Sequence, residues 1–299
     1  MNYRVKKNFV TKKKMYTPII IIGAPRSGTN MLRDVLCSFR GIGTWPCDEI
    51  NFIWRHYNIN KDTDEFNEGM ASEKVKKYIH NKFDLFAKKE NLNFLVEKTC
   101  ANSLRVPYVN KIIPNAKYIF IVRDGVDVAG SASIRWKAKL NFIYSLKKIR
   151  YVPFSDLFFY TYNFLKNRLH KLFSKNKRLS FWGPQFKGIH SIFSNYALEE
   201  ACILQWQKCV DLSEKAFDSM DNNVIVRVRY EDFVLEPSKE LMRIMNELDI
   251  SCKPEKIESV VRIVKSKSIG KGRKNLSKSQ LNAVSKLASK TLNRYGYKA

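Results

Sequence analysis

Hydrophobic positions along the chain fall into two alternating patterns. Short β-branched or aromatic runs bounded by turn residues recur near 18–23, 92–98, 117–123 and 223–230, each with the length and character of a strand buried on both faces. Between and after them, apolar residues return at helical spacing over 28–39, 73–90, 103–112, 124–140, 196–219, 238–248 and 277–292. Strands that alternate with helices predict an α/β fold, a central parallel sheet flanked on both faces by helices. A chain of 299 residues can bury a full core, so a single domain over 1–299 with excursions is expected rather than two independent units. Neither an internal repeat nor a low-complexity linker interrupts the pattern.

The first strand runs directly into chemistry. Ile19–Ile22 is followed by Gly23-Ala24-Pro25-Arg26-Ser27-Gly28-Thr29 and then by the first helical pattern. A strand, a glycine-rich bend and a helix N-terminus make backbone N–H groups converge where the helix dipole favours an anion, which predicts a P-loop-like phosphate site. A loop that hydrolyses ATP or GTP would continue Gly-Lys-Ser/Thr after the four-residue spacer. Here Thr29 stands in place of the lysine and Asn30 in place of the metal-binding hydroxyl, while a cation lies inside the loop at Arg26. The loop suits a nucleotide 5′-phosphate held by backbone amides, Arg26, Ser27 and Thr29 without an obligatory metal. Read alone it is equally a structural corner whose glycines turn the chain.

The strand Lys117–Val122 delivers Arg123 and Asp124 at its carboxyl end, where ligands bind in open α/β sheets. Ser131 follows eight residues after Arg123, about two helical turns on, and can turn back toward the strand end. If the strands before Arg26 and Arg123 are neighbours, two arginines and a serine flank one site that could take two phosphates.

These residues resemble the sulfotransferases that use 3′-phosphoadenosine 5′-phosphosulfate (PAPS), nearest to the tyrosylprotein and carbohydrate branches and of bacterial type. That family carries a Pro-[Arg/Lys]-Ser-Gly-Thr-[Thr/Ser] loop for the 5′ side of the donor, and an Arg-[Asp/Asn] pair with a serine one helix face later for the 3′-phosphate. Pro25–Asn30 matches the first except at Asn30, and Arg123, Asp124 and Ser131 match the second. Val228–Phe233 with Glu236-Pro237 is similar to the family's late strand and turn, and Asn293–Tyr297 to its C-terminal ending. The resemblance covers roughly 17–135 and 195–299. It implies donor contacts by Arg26, Ser27, Gly28, Thr29, Asn30, Arg123 and Ser131, the product being adenosine 3′,5′-bisphosphate, with no metal required. It further implies that Tyr230 packs near the adenine, although such a tyrosine also suits the core, and that Lys271, Gly272 and Arg273 belong to a basic loop closing over the 3′-phosphate.

In the same branches an acidic residue after the first helix removes the proton of the acceptor hydroxyl. Asp48 and Glu49 occupy that place, with Glu49 expected as the base and Asp48 as its alternative. Lys98, at the end of the strand Asn93–Glu97, is similar to the family's strand-end lysine that reaches the leaving phosphate. With Arg26 it would stabilise the departing charge electrostatically.

Against the family's minimal plan, 140–195 reads as an inserted helical segment. It is aromatic and basic at once: Tyr144, Tyr151, Phe154, Leu157–Tyr160, Tyr162 and Phe164 precede Lys166, Arg168 and Lys171, and Phe181-Trp182-Gly183-Pro184 follows. It suits a cap on a sugar-binding cleft, a basic amphipathic surface on a membrane, or a subdomain packed on itself.

Charge changes the picture of partners. The formal net charge is +26; residues 137–187 hold twelve Lys/Arg against one acid, Asp156, and residues 262–299 hold eleven against none. That surplus exceeds what a nucleotide donor needs and points to an acidic partner such as an anionic glycan or, peripherally, an anionic membrane. No module for specific nucleic-acid binding is recognisable. The apolar run before the phosphate loop is too short for a signal peptide, and no stretch approaches a spanning helix, so a cytoplasmic enzyme is expected, in contrast to the anchored Golgi members of the family. Six cysteines without CxxC spacing and four histidines predict neither a disulfide framework nor a metal site.

The leading expectation is therefore a PAPS-dependent sulfotransferase acting on a hydroxyl, on a carbohydrate such as a surface polysaccharide or glycolipid precursor. The alternatives are a P-loop kinase and a non-catalytic basic protein that binds anionic membrane or nucleic acid.

Overall fold

The computed structural model describes residues 16–137, 149–173 and 182–298. Five parallel strands form one sheet: β1 (Thr17–Ile22), β2 (Ile42–Thr44), β3 (Phe94–Lys98), β4 (Lys117–Val122) and β5 (Ile225–Arg229), in the order β2-β3-β1-β4-β5. Among the described residues the α-helices are α1 (Thr29–Leu36), α2 (Asn51–Arg55), α3 (Glu73–Lys89), α4 (Val106–Ile112), α5 (Gly125–Trp136), α6 (Leu157–Phe173), α7 (Ile189–Asn195), α8 (Leu198–Phe217), α9 (Tyr230–Leu235), α10 (Pro237–Glu247), α11 (Pro254–Val261), α12 (Lys278–Leu287) and α13 (Ser289–Arg294).

The run of isoleucines in β1 is uninterrupted because both faces of the sheet are covered. Ile20 and Ile22 point into one core with Leu95, Tyr118 and Phe120, under α3, α4, α5 and α8. Ile19 and Ile21 point into the other with Val96, Ile119, Ile121 and Val226, under α1, α10 and α11. Strand alternation thus divides one apolar run between two cores.

The four expected strands and the expected helices over 28–39, 73–90, 103–112, 196–219 and 238–248 appear with shifted ends. The expected helix over 124–140 is seen as α5 to Trp136, and 138–140 lie outside the described residues. Two expectations are corrected. Tyr230 does not close the fourth strand but begins α9. The helix over 277–292 breaks at Ala288, whose φ of −113° leaves helical space, into α12 and α13. The edge strand β2 and the helices α2, α9 and α11 were not expected; β2 has three residues, too few for an alternation to register. Of the inserted segment, Tyr144 and Phe181 lie outside the described residues; α6 and α7 form its described helices.

Candidate active site

β1 and β4 are paired neighbours, so the two phosphate motifs emerge side by side at the carboxyl end of the sheet. The loop after β1 turns through Arg26, at a φ of 72°, and Gly28, at 87°. A left-handed arginine is uncommon outside functional turns. Gly28 has a second reason to lack a side chain: a Cβ there would stand 2.6 Å from Cε2 of Tyr230. The ring of Tyr230 is buried beneath the loop and under the guanidinium of Arg123, 4.4 Å from its centroid. Tyr230 therefore supports the phosphate loop from the core.

Arg26 Nε donates to Ser131 Oγ at 3.0 Å, which joins the first motif to the second. Partial desolvation and the nearby Arg135 and Arg123 lower the pKa of Arg26 from the usual guanidinium range. Arg26 and Arg135 thus border one mouth with Arg123 buried beneath it, an arrangement suited to an anion. Arg135, exposed one turn after Ser131, was not singled out from the sequence. Ser27 Oγ is buried in the loop with no hydrogen-bond partner among the described residues, a donor a phosphate oxygen would satisfy. Thr29 lies buried with Oγ1 3.9 Å from Cys100 Sγ, whereas Asn30 is exposed at the first turn of α1.

Arg123 is held from several sides. Nη1 donates to the carbonyl of Arg26 at 3.0 Å, Nε to Asp127 Oδ2 at 3.1 Å, and Nη2 to Asp127 and to the carbonyl of Ser268. Asp127, 1 % exposed, in turn accepts the N–H groups of Gly270 at 3.2 Å, of Arg273 at 3.1 Å and of Gly272. The basic loop is thereby fastened to α5 beside Arg123. Gly272 is buried against α5, Lys271 is exposed, and Arg273 Nε and Nη2 reach Asp124 at 2.6 and 3.1 Å. Asp127 escaped the sequence reading although its spacing of four from Arg123 is that of a helical ion pair.

The segments matched late in the chain brace the same strand end. Glu231 accepts the N–H of Asp124 at 3.1 Å through one oxygen and the hydroxyl of Tyr297 at 2.7 Å through the other.

The acidic pair lies on the β3 side. Lys98, 3 % exposed, donates to Asp48 Oδ1 at 2.9 Å and to Glu49 Oε1 at 3.1 Å. Asp48 Oδ1 also accepts Arg33 Nη1 at 2.6 Å, and Glu49 Oε1 accepts the N–H of Cys100 at 3.4 Å. Burial would raise the pKa of Asp48, but Lys98 and Arg33 outweigh it and hold it at about 2. Burial works against the charge on Lys98, and the carboxylates of Glu49 and Asp48 nonetheless raise its pKa above the ordinary lysine value. Thr29 and Glu49 both meet Cys100, so the carboxylates and the phosphate loop adjoin.

Glu97, completely buried, fixes this corner. It accepts Asn102 Nδ2 at 2.9 Å and the hydroxyl of Thr99, whose oxygen accepts the N–H of Ile50 at 3.2 Å. Burial pushes the Glu97 carboxyl up to about 7, against the hydrogen bond from Thr99.

Both described ends of the inserted segment border the site. Tyr151 meets Trp45 edge-on at 5.8 Å, and Asp156 Oδ2 lies 2.8 Å from His56 Nδ1. Gly183 packs by Pro25, held by Gln205 Nε2, which donates to the carbonyls of Trp182 and Pro184 at 3.1 and 3.0 Å. Among the described residues no group of three or more His, Cys, Asp or Glu side chains could hold a metal ion.

Comparison with known proteins agrees with this geometry. The family model described as the sulfotransferase family matches residues 18–178. Among solved structures, the chain is similar to the sulfotransferase domain from the curacin biosynthetic pathway, at 14 % identity and a TM-score of 0.55 over 95 % of this chain and 99 % of that one. It is also similar to the sulfotransferase domain of the Synechococcus PCC 7002 olefin synthase, at 15 % identity and 0.53 over the whole of both chains. A third is sulfotransferase STF9 from Mycobacterium avium, at 11 % and 0.51 over 95 % of this chain and 78 % of that one. These identities carry the fold. No curated protein matches the sequence.

Proposed function

The chain belongs to the sulfotransferase family, and we propose that it transfers a sulfuryl group from PAPS to the hydroxyl of a carbohydrate in the cytoplasm, with Glu49 as general base. The observation that carries the donor reading is the bond from Arg26 to Ser131, which unites two anion-binding motifs from adjacent strands in one mouth. A donor with phosphates at both the 5′ and 3′ positions needs such a pair, and the unsatisfied Ser27 hydroxyl fits an oxygen acceptor there.

When bound, PAPS supplies a sulfuryl group already activated by a phosphate leaving group. The loop amides, Arg26, Ser27 and Thr29 would hold its 5′ side, and Ser131 with the loop of Lys271, Gly272 and Arg273 would border its 3′ side. Arg123 works from beneath: it ties the carbonyl of Arg26, Asp127 and the 266–268 turn into one unit, so that both halves of the mouth keep a common geometry. Lys98 and Arg26 are fixed cations for departing negative charge, stabilisation by preorganised electrostatics rather than by a covalent step. Of the two acids, Asp48 is braced by Arg33 and held at about 2, a poor proton acceptor. Glu49, held by Lys98 and by the N–H of Cys100 beside the phosphate loop, is the acid proposed to take the proton of an acceptor hydroxyl. Sugar hydroxyls fit this chemistry, and the aromatic, basic segment whose ends border the 45–50 loop and Pro25 is the wall proposed for the glycan.

Calorimetry in moderate salt tests the donor assignment, comparing adenosine 3′,5′-bisphosphate with ADP and with ATP and magnesium, on the wild type, Ser131→Ala and Arg26→Ala. The bisphosphate is expected to bind preferentially, and Ser131→Ala to erode that preference. Equal binding of ADP and the bisphosphate defeats the reading, and a preference for magnesium-ATP supports a kinase instead.

A further inference from the structure

Helix α6 turns its apolar stripe outward. Phe158, Tyr162, Leu165 and Leu169 are 84 %, 58 %, 54 % and 54 % exposed, and Phe154, one turn ahead of the helix, is 93 % exposed. Successive spacings of four, four, three and four residues place these five side chains along one face. The opposite side anchors the segment: Asp156 is buried against His56, and Tyr160 packs on the core. A helix of a globular protein ordinarily does the reverse, hiding its apolar stripe and showing its polar side. Scattered exposed apolar residues need no explanation, but five in line form a contact surface.

Charge selects the occupant. Residues 137–187 contain twelve Lys/Arg, and their one acid, Asp156, is buried and paired. Arg150, four residues before Phe154, and Lys166, next to Leu165, are exposed. A second copy of the chain would set like charges, Arg150 and Lys166 among them, against each other. An anionic bilayer answers both features at once, since apolar side chains enter the boundary between headgroups and acyl chains while cations meet lipid phosphates. No described helix is long and apolar enough to cross a membrane, and the stripe is one-sided, as a helix lying in the interface requires.

We propose that the face from Phe154 to Leu169 seats the protein on an anionic lipid bilayer. The docking is independent of the transferase reading. Its corollary rests on that reading: with Tyr151 against Trp45 and Asp156 on His56, the segment that carries the seated face is anchored through its opposite side beside the acidic pair's loop, which makes hydroxyl acceptors carried by the membrane the proposed substrates.

The test is co-sedimentation of the full chain with vesicles of phosphatidylcholine alone or mixed equally with phosphatidylglycerol, for the wild type and Phe158→Ser/Leu165→Ser. Wild type is expected to sediment with the anionic vesicles and far less with the neutral ones. The double variant should bind the anionic vesicles at least about tenfold more weakly, because two apolar insertions are lost, with melting temperature and bisphosphate affinity unchanged. Wild type that stays in the supernatant with anionic vesicles overturns the proposal whatever the variant does. So does a well-folded variant that sediments like the wild type, which assigns the binding to charge alone. A wild-type dimer in size-exclusion chromatography that the variant splits also overturns it, assigning the stripe to a second copy.

Discussion

Replacing Asp48 by Asn separates a brace from a base. Asp48 bridges Lys98 and Arg33 through one oxygen at 2.9 and 2.6 Å, with about a quarter of its side chain exposed. These contacts bring its pKa from 3.8 to about 2 despite burial. At about 1.4 kcal/mol per pH unit the depression corresponds to a little over 2 kcal/mol, and discounting for the exposed portion leaves about 2 kcal/mol. The sign follows from linkage: for a depressed carboxyl the stabilisation is complete above the unfolded pKa near 4 and is lost as pH falls through the folded value near 2. Asp48→Asn should therefore lower unfolding free energy by about 2 kcal/mol at pH 7, and the gap should close between pH 4 and pH 2. Urea titrations followed by tryptophan fluorescence at several pH values would measure it. In a transfer assay Asp48→Asn should keep activity within about tenfold, whereas Glu49→Gln should abolish transfer and leave bisphosphate binding intact. An Asp48→Asn protein as stable as wild type but inactive, beside an active Glu49→Gln, would refute the assignment and make Asp48 the base.

Three further outcomes follow from the same contacts. Gly28→Ala combines a left-handed backbone with overlap on the Tyr230 ring and should cost roughly 2–4 kcal/mol of stability; in a Tyr230→Ala background a denaturation series should show the steric part relieved, and an equal cost in both backgrounds would contradict the packing argument. Asp127→Ala leaves buried Arg123 without its carboxylate and frees three loop N–H groups. A loss of about 3–5 kcal/mol is expected, together with faster hydrogen exchange at Gly270, Gly272 and Arg273; protection as in wild type would contradict it. For Glu97, a carboxyl raised to about 7, the native state binds the extra proton, so stability should fall as pH rises from about 4.5 to about 7. Glu97→Gln should flatten that segment of the stability profile, and an unchanged slope would assign it to other groups.

Much of the site could be read in the chain because its pieces are local. A β-branched run ending in Gly23–Thr29, and another ending in Arg123 with Ser131 eight residues on, are short-range patterns whose geometry follows from strand ends and helical periodicity. The acids Asp48 and Glu49 and the lysine Lys98 were likewise visible as residue types at strand and helix ends. What remained hidden was non-local. Tyr230 reads equally as a cleft or a core residue until β5 is placed beside β4 and its ring comes to rest under Gly28. Arg123 reads as a phosphate fork, yet the Arg26 carbonyl and the Ser268 carbonyl converge on it from segments about 100 and 145 residues away.

The sequence by itself determined the α/β class and the two candidate anion-binding motifs, since each depends on backbone geometry that a few neighbouring residues dictate, whereas their meeting in one mouth required β1 and β4 to pair. Only the tertiary structure decided which acid is braced by Arg33, which aspartate fastens the basic loop, and that α6 shows its apolar side to water. Those outcomes depend on which distant side chains meet in a low-dielectric interior, where burial and charge pairing set pKa and contact together. No local pattern carries that information.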